Sequence, residues 1–162
     1  AEMRLILEEI VKAHPNEVAI YFKQFPLSHH LHSLSAARAS LAAGRQGRFW
    51  QMHDLLFLNQ ARLNDEKMIQ FARELGLNTD KFQQDWADTN LLAQVESDRQ
   101  EAIKANISST PTLYINGQMY IEGKSPTEIK AFVSNLVAEL KTGKGSAKKP
   151  AVKNEKKTRK TD

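Results

Sequence analysis

The sequence contains no cysteine. Within these residues that excludes disulfides, thiolate metal sites and thiol nucleophiles, and it removes the usual compositional clue to redox compartment. No run approaches the roughly 18–20 consecutive apolar residues that a membrane span requires. No internal repeat is found. Proline and glycine are scarce, five and seven in 162 residues, so where they occur they punctuate the chain.

What remains is the composition of a globular domain with a real core: 41% hydrophobic and 26% charged residues. The formal charge of +4 hides a division. Residues 141–162 hold nine Lys/Arg against Glu155 and Asp162, a net of +7, whereas residues 1–140 hold fourteen against seventeen, a net of −3. A mildly acidic domain therefore carries a basic stretch of lysine, glycine, serine and proline with almost nothing apolar to bury. Residues 141–162 are expected to be a disordered tail.

Along residues 2–13, Met3, Ile6, Leu7, Ile10 and Val11 recur at three- and four-residue spacing and predict an amphipathic helix, ended by Pro15-Asn16. Glu17-Val18-Ala19-Ile20-Tyr21-Phe22-Lys23 is rich in branched and aromatic residues on both faces, which predicts a strand covered on both sides. Phe25-Pro26-Leu27 stops it. Five helices are predicted next: 33–43 ending at Gly44, about 48–59, one opened by Asn64-Asp65 and closed at Gly76, one opened by Asn78-Thr79, and one from about Leu91 to Ala105. After them Ser125-Pro126-Thr127-Glu128 has the serine, proline and glutamate of a capping box. The helix it starts shows Ile129, Phe132, Val133, Leu136, Val137 and Leu140 on one face.

Between the helical run and that last helix lies the stretch from Ser108 to Gly123. Thr110-Pro111 enters a strand, Asn116-Gly117 makes a two-residue turn whose residues both accept positive φ, and a second strand returns. A proline lacking its N–H is tolerated just before a strand, and an X-Pro bond there can be cis.

These segments resemble the DsbA-like thioredoxin-fold family of thiol–disulfide oxidoreductases. The Tyr21-Phe22-Lys23-Gln24-Phe25-Pro26-Leu27-Ser28 segment resembles that family's strand exit. Residues 42–57, with Gln46-Gly47-Arg48-Phe49-Trp50-Gln51-Met52-His53-Asp54-Leu55-Leu56-Phe57, resemble its alanine-rich helix and the aromatic helix after it. Ser109-Thr110-Pro111-Thr112 resembles its cis-proline loop. The resemblance implies an α/β, thioredoxin-like fold over residues 1–140, with an α-helical insertion at about 32–106. It also implies substrate binding at Ser109, Thr110 and Pro111, next to the active cysteines.

In the family the catalytic Cys-x-x-Cys precedes the first helix, whose N-terminal dipole and free N–H groups favour the thiolate. Ala1-Glu2-Met3-Arg4-Leu5 resembles the family's residues immediately C-terminal to that motif. The chain is therefore expected to be a fragment that begins just after the cysteine pair, with the first central strand of the fold missing. The neighbouring strands at 17–23 and 112–115 would then expose unpaired edges or pair with each other, leaving the chain poorly stable or prone to association. The competing expectation is a family member that has lost its motif: a redox-inactive module that binds peptides or a partner. By resemblance the partners are protein or peptide thiols and disulfides together with a redox partner protein. The location would be extracytoplasmic, in the bacterial periplasm. No cofactor or metal is implied.

Other constellations carry less. His29, His30 and His32 crowd one segment, but their spacing matches no helical ligand pair and no Asp, Glu or Cys adjoins them. His53 reads as a packed helical residue. His53-Asp54 with Ser108 or Ser109 has no nucleophile elbow behind it. Phe49, Trp50, Phe57, Phe71, Phe82 and Trp86 could line a peptide groove, yet read mainly as the core of the insertion. The basic tail lacks aromatic residues for base stacking and reads as a solvated segment rather than a nucleic-acid site. Since the chain holds no thiol, it is expected to show no reduction of insulin and no oxidation of a model dithiol; turnover in either assay would overturn this.

Overall fold

In a computed structural model of the chain, residues 2–121 and 125–142 are described. Helix α1 spans Glu2–Ala13. An extended segment then leads to five helices: α2 (Ser33–Gly44), α3 (Phe49–Leu58), α4 (Asp65–Glu74), α5 (Thr79–Ala87) and α6 (Thr89–Lys104). A two-stranded hairpin, β1 (Tyr114–Ile115) and β2 (Gln118–Met119), precedes α7 (Pro126–Lys141).

The helix starts follow from local chemistry. The side chains of Asn64 and Asn78 accept the backbone N–H of Lys67 and Lys81 at 2.8 and 2.9 Å. Asp88 accepts that of Asn90 at 2.8 Å and opens α6. Each satisfies an N–H that the first turn leaves without a partner. Ser125 and Glu128 form the full capping box at the start of α7. Gly76, at φ +68, comes just past the end of α4, where a left-handed conformation lets Leu77 N–H reach Ala72 O at 2.9 Å.

The elements bury two separate cores. The first lies within α2–α6 and contains Ala39, Ala42, Ala43, Met52, Leu56, Met68, Phe71, Ala72, Phe82 and Leu91. Its centre is α2, whose alanines let α3, α4, α5 and α6 all approach the same helix. The second joins α1 to α7: Ile6 and Ile10 meet Ile129, Val133 and Val137, with Val18, Leu113, Ile115 and Tyr120 packed around them. The spacing read from residues 2–13 and 129–140 thus meets across one interface.

The hairpin register pairs Tyr114 with Met119 and Ile115 with Gln118. Asn116 and Gly117 both have positive φ, 50° and 78°, as a primed two-residue turn demands. Regular pairing stops at Met119, although Tyr120 N–H still donates to Leu113 O at 2.8 Å.

One expected element differs. Residues 17–23 form no strand: Glu17 belongs to the turn after α1, residues 18–23 take up no regular structure, and the sheet consists of β1 and β2 alone among the described residues. A strand needs a second backbone beside it, and none of the described residues supplies one to Ala19–Lys23. Nor is this segment covered on both sides: Tyr21 is 87% and Phe22 40% exposed. The two edges therefore do not pair with each other. The expected helical insertion is present, and α7 runs through Lys141, one residue past the expected domain end. The tail from residue 143 onward lies outside the described residues.

Phe82 is fully buried in the larger core. Phe82→Ala is expected to destabilise the fold by about 3–5 kcal/mol, through lost burial and the cavity left behind. Urea unfolding monitored by circular dichroism measures this.

Candidate functional site

The structure carries α6 into the hairpin through an exposed loop. After α6, Asn106 takes a positive φ of 57°, and Ile107 N–H returns to Ala102 O at 2.9 Å, so the chain turns sharply away from the helix. Ser108, Ser109, Thr110 and Pro111 then lie exposed, and the Thr110–Pro111 peptide bond is cis. Thr112 Oγ1 donates to Ser109 O at 2.7 Å and folds the loop on itself. Leu113 then anchors the chain in the α1–α7 core. Ser109, Thr110 and Pro111 are therefore consecutive on one solvent-facing loop, held at both ends by packed structure. Among the described residues, the backbone N–H and C=O of Thr110 make no hydrogen bond.

A second stretch of free backbone lies at Ala19–Lys23. Its ends are fixed differently. Val18 N–H donates to His14 O at 3.0 Å and its side chain joins the α1–α7 core. At the far end Asp98, on α6 and only 6% exposed, accepts the Gln24 N–H at 2.9 Å and the Lys23 ammonium at 3.0 Å. The Gln24 side chain donates to Ser40 Oγ at 2.9 Å. Lys23 also reaches Glu101 at 3.1 Å, and these two carboxylates hold its ammonium above the usual lysine range. The segment is thus held between two anchors, Val18 in the α1–α7 core and the buried Asp98 on α6.

The aromatic residues divide. Phe71 and Phe82 are core, and Trp86 packs on them while its Nε1 donates to Ser35 O at 2.9 Å. Phe49, Trp50 and Phe57 gather instead around His53, joined by Phe22 from the extended segment. Phe57 is 42% exposed, so part of this cluster faces solvent. Composition could not reveal the role of Phe22, because it comes from a different element.

His53 Nδ1 donates to Asp54 Oδ1 at 3.0 Å, and burial holds its pKa below the ordinary imidazole value, with Asp54 opposing. No hydroxyl is hydrogen-bonded to it among the described residues, so the His53-Asp54 pair has no serine partner. His29 and His30 lie on the surface with ring centres 4.2 Å apart and planes tilted by 49°. No group of three or more His, Asp or Glu is arranged to hold a metal among the described residues. An open cleft between α2 and α4, lined by Leu31, His32, Ser35, Asn64, Asp65 and Glu66, contains none of the loop residues.

A thioredoxin family model matches residues 1–135. The chain is 33% identical over 123 residues to the Na(+)/H(+) antiporter NhaA 3 of Salinispora tropica, covering 72% of this chain and 19% of that protein. It is 33% identical over 139 residues to NhaA 1 of Mycolicibacterium gilvum, covering 83% and 21%. The chain thus spans about a fifth of the length of the curated relatives it matches. No helix among the described residues is long and apolar enough to cross a membrane. A solved thioredoxin-like oxidoreductase from Silicibacter pomeroyi superposes with a TM-score of 0.69 at 24% identity, over 85% of this chain and 78% of that one, and shares the fold.

Asp98 is buried and holds the Gln24 N–H, so Asp98→Ala strands a donor in the interior. A loss of about 1–3 kcal/mol is expected, read as a lower urea midpoint with an unchanged slope. The chain belongs to the thioredoxin family, and its fold is the DsbA-like one, with a helical block inserted between the extended segment and the hairpin.

Proposed function

We propose that this domain serves thiol–disulfide exchange on protein substrates. Ser109, Thr110 and Pro111 dock an extended polypeptide backbone, and a Cys-x-x-Cys pair placed immediately before α1 in the complete protein carries out the redox step. The observation that supports the docking role is the backbone of Thr110, which has no partner among the described residues, on an exposed loop that Leu113 anchors in the α1–α7 core. A backbone N–H and C=O with no internal partner can pair with an incoming strand, which gives affinity without a demand on sequence.

The placement of α1 supports the other half. The N-terminal end of a helix presents N–H groups without internal partners and a positive dipole end, so a cysteine there ionises readily. Attack of that thiolate on a substrate disulfide forms a mixed disulfide and releases one substrate thiolate. The second cysteine then displaces the remaining substrate sulfur and closes the protein's own disulfide. Run in reverse, the same steps oxidise a substrate dithiol. In this reading no organic cofactor or metal takes part, the partners are protein thiols and disulfides and a redox partner protein, and the setting is extracytoplasmic.

A cysteine-free extended peptide titrated into the isotope-labelled chain tests the docking half. Amide shifts are expected at Ser109, Thr110 and Thr112, with α4 unmoved; shifts confined to other elements would remove the loop from the proposal. The complete protein tests the redox half. It is expected to contain the cysteine pair and to reduce insulin in the presence of a dithiol. A complete chain without that pair, still binding peptide at the loop, would establish the redox-inactive binding module in its place.

A further inference from the structure

One joint between the α1 side of the molecule and the helical block is built around a titratable ring. On the α1 side stands Arg4. Its guanidinium lies 5.5 Å above the Trp50 ring, and its Nε is 3.0 Å from Asp54 Oδ1. That carboxylate oxygen also accepts from His53 Nδ1 at 3.0 Å. The Arg4 Nε is buried without an aligned hydrogen bond, so Asp54 is shared between a permanent cation and an imidazole. From the extended segment, Phe22 sets its ring edge-on to His53 with centres 5.0 Å apart, and it also meets Phe49 and Trp50. Phe57 lies 4.5 Å from His53 on the remaining side. The imidazole thus lies where the 18–24 segment meets α3, and α1 reaches the same cluster through the contacts of Arg4 with Trp50 and Asp54.

We propose that His53 is a proton-operated latch between the two bodies: its neutral ring closes the aromatic joint, and protonation loosens the seat of α1 and of the 18–24 segment on the helical block. The titratable and charged groups facing the ring are few. Asp54 favours the protonated form. Arg4 and, more weakly, the amino terminus of the chain oppose it, and Glu8 on α1 pairs with Arg4 rather than with the ring. Lys23, next to Phe22, is committed to Asp98 and Glu101 on α6. One carboxylate shared with an arginine does not offset the lost hydration of an imidazolium among four aromatic rings, so the closed joint selects the neutral ring.

The sign comes from linkage. A base whose pKa is lower in the closed state than in the open one binds a proton preferentially on opening. Closure is therefore complete above the ordinary imidazole value and weakens as pH falls below it. A single site of this kind changes the opening equilibrium by up to about tenfold per pH unit. This inference is independent of the redox reading, since it concerns only residues within the chain and needs no thiol.

The test is native-state amide exchange on the labelled 162-residue chain between about pH 7.5 and about pH 5, with His53 titrated in parallel by its ring signals. His53 is expected to titrate below the ordinary imidazole value. Protection of the Gln24 amide and of the α1 amides from Glu8 to Ile10 is expected to fall by up to about tenfold per pH unit through that region. Protection within α4 is expected to hold. His53→Gln is expected to abolish the fall. Asp54→Asn, which keeps the shape but removes the favourable charge, is expected to move the His53 midpoint lower still, and it decides the matter if His53→Gln does not fold. A His53 midpoint at or above the ordinary value, a fall in protection that persists in His53→Gln, or an unmoved midpoint in Asp54→Asn would overturn the proposal.

Discussion

The Asp98 carboxylate is the constraint on which the arrangement depends. It sits inside α6, yet the groups it satisfies, the Gln24 N–H and the Lys23 ammonium, belong to the segment arriving from α1. A buried carboxylate is tolerated only when its lone pairs are used, and here the partners come from the other body of the molecule. Its position therefore fixes where the extended segment meets the helical block. With Val18 held in the α1–α7 core, both ends of the backbone between these two points are fixed.

Helices, caps and the hairpin were legible in the sequence because each is decided within a few residues. Asn64, Asn78 and Ser125 each satisfy an N–H three positions on, Gly76 takes the one conformation that side chains resist, and Asn116-Gly117 supplies two positive-φ residues. The helical block between the extended segment and the hairpin was legible for the same reason. The segment at 17–23 was not, because strand character is a property of two backbones. Val18, Ile20, Tyr21 and Phe22 have the composition of a strand covered on both sides, but composition cannot say whether a second backbone lies beside them.

The candidate site shows the same division. That Ser109, Thr110 and Pro111 form an exposed loop at the entrance to β1 was legible from the hairpin signal alone. The convergence of Arg4, Phe22, Phe49, Trp50, His53 and Phe57 could not be read, since these residues lie on three elements and only their meeting gives them a joint role. His53 taken alone reads as a packed helical histidine, and so it is. What the sequence could not show is that the residues packed on it come from both bodies.

Free backbone at the loop and at the extended segment answers the same physical need in two ways. Each presents N–H and C=O groups that have no backbone partner among the described residues, and each is held by side chains that the neighbouring core fixes in place. In the proposed role, an incoming strand would meet a surface already ordered by folding, so its own ordering would be the main cost of association. The exposed aromatic surface at Phe22 and Phe57 adds apolar area next to the 18–24 segment without asking for any particular sequence. A fold that keeps backbone donors in reserve, anchored by a packed core, fits the proposed handling of extended chains of many sequences.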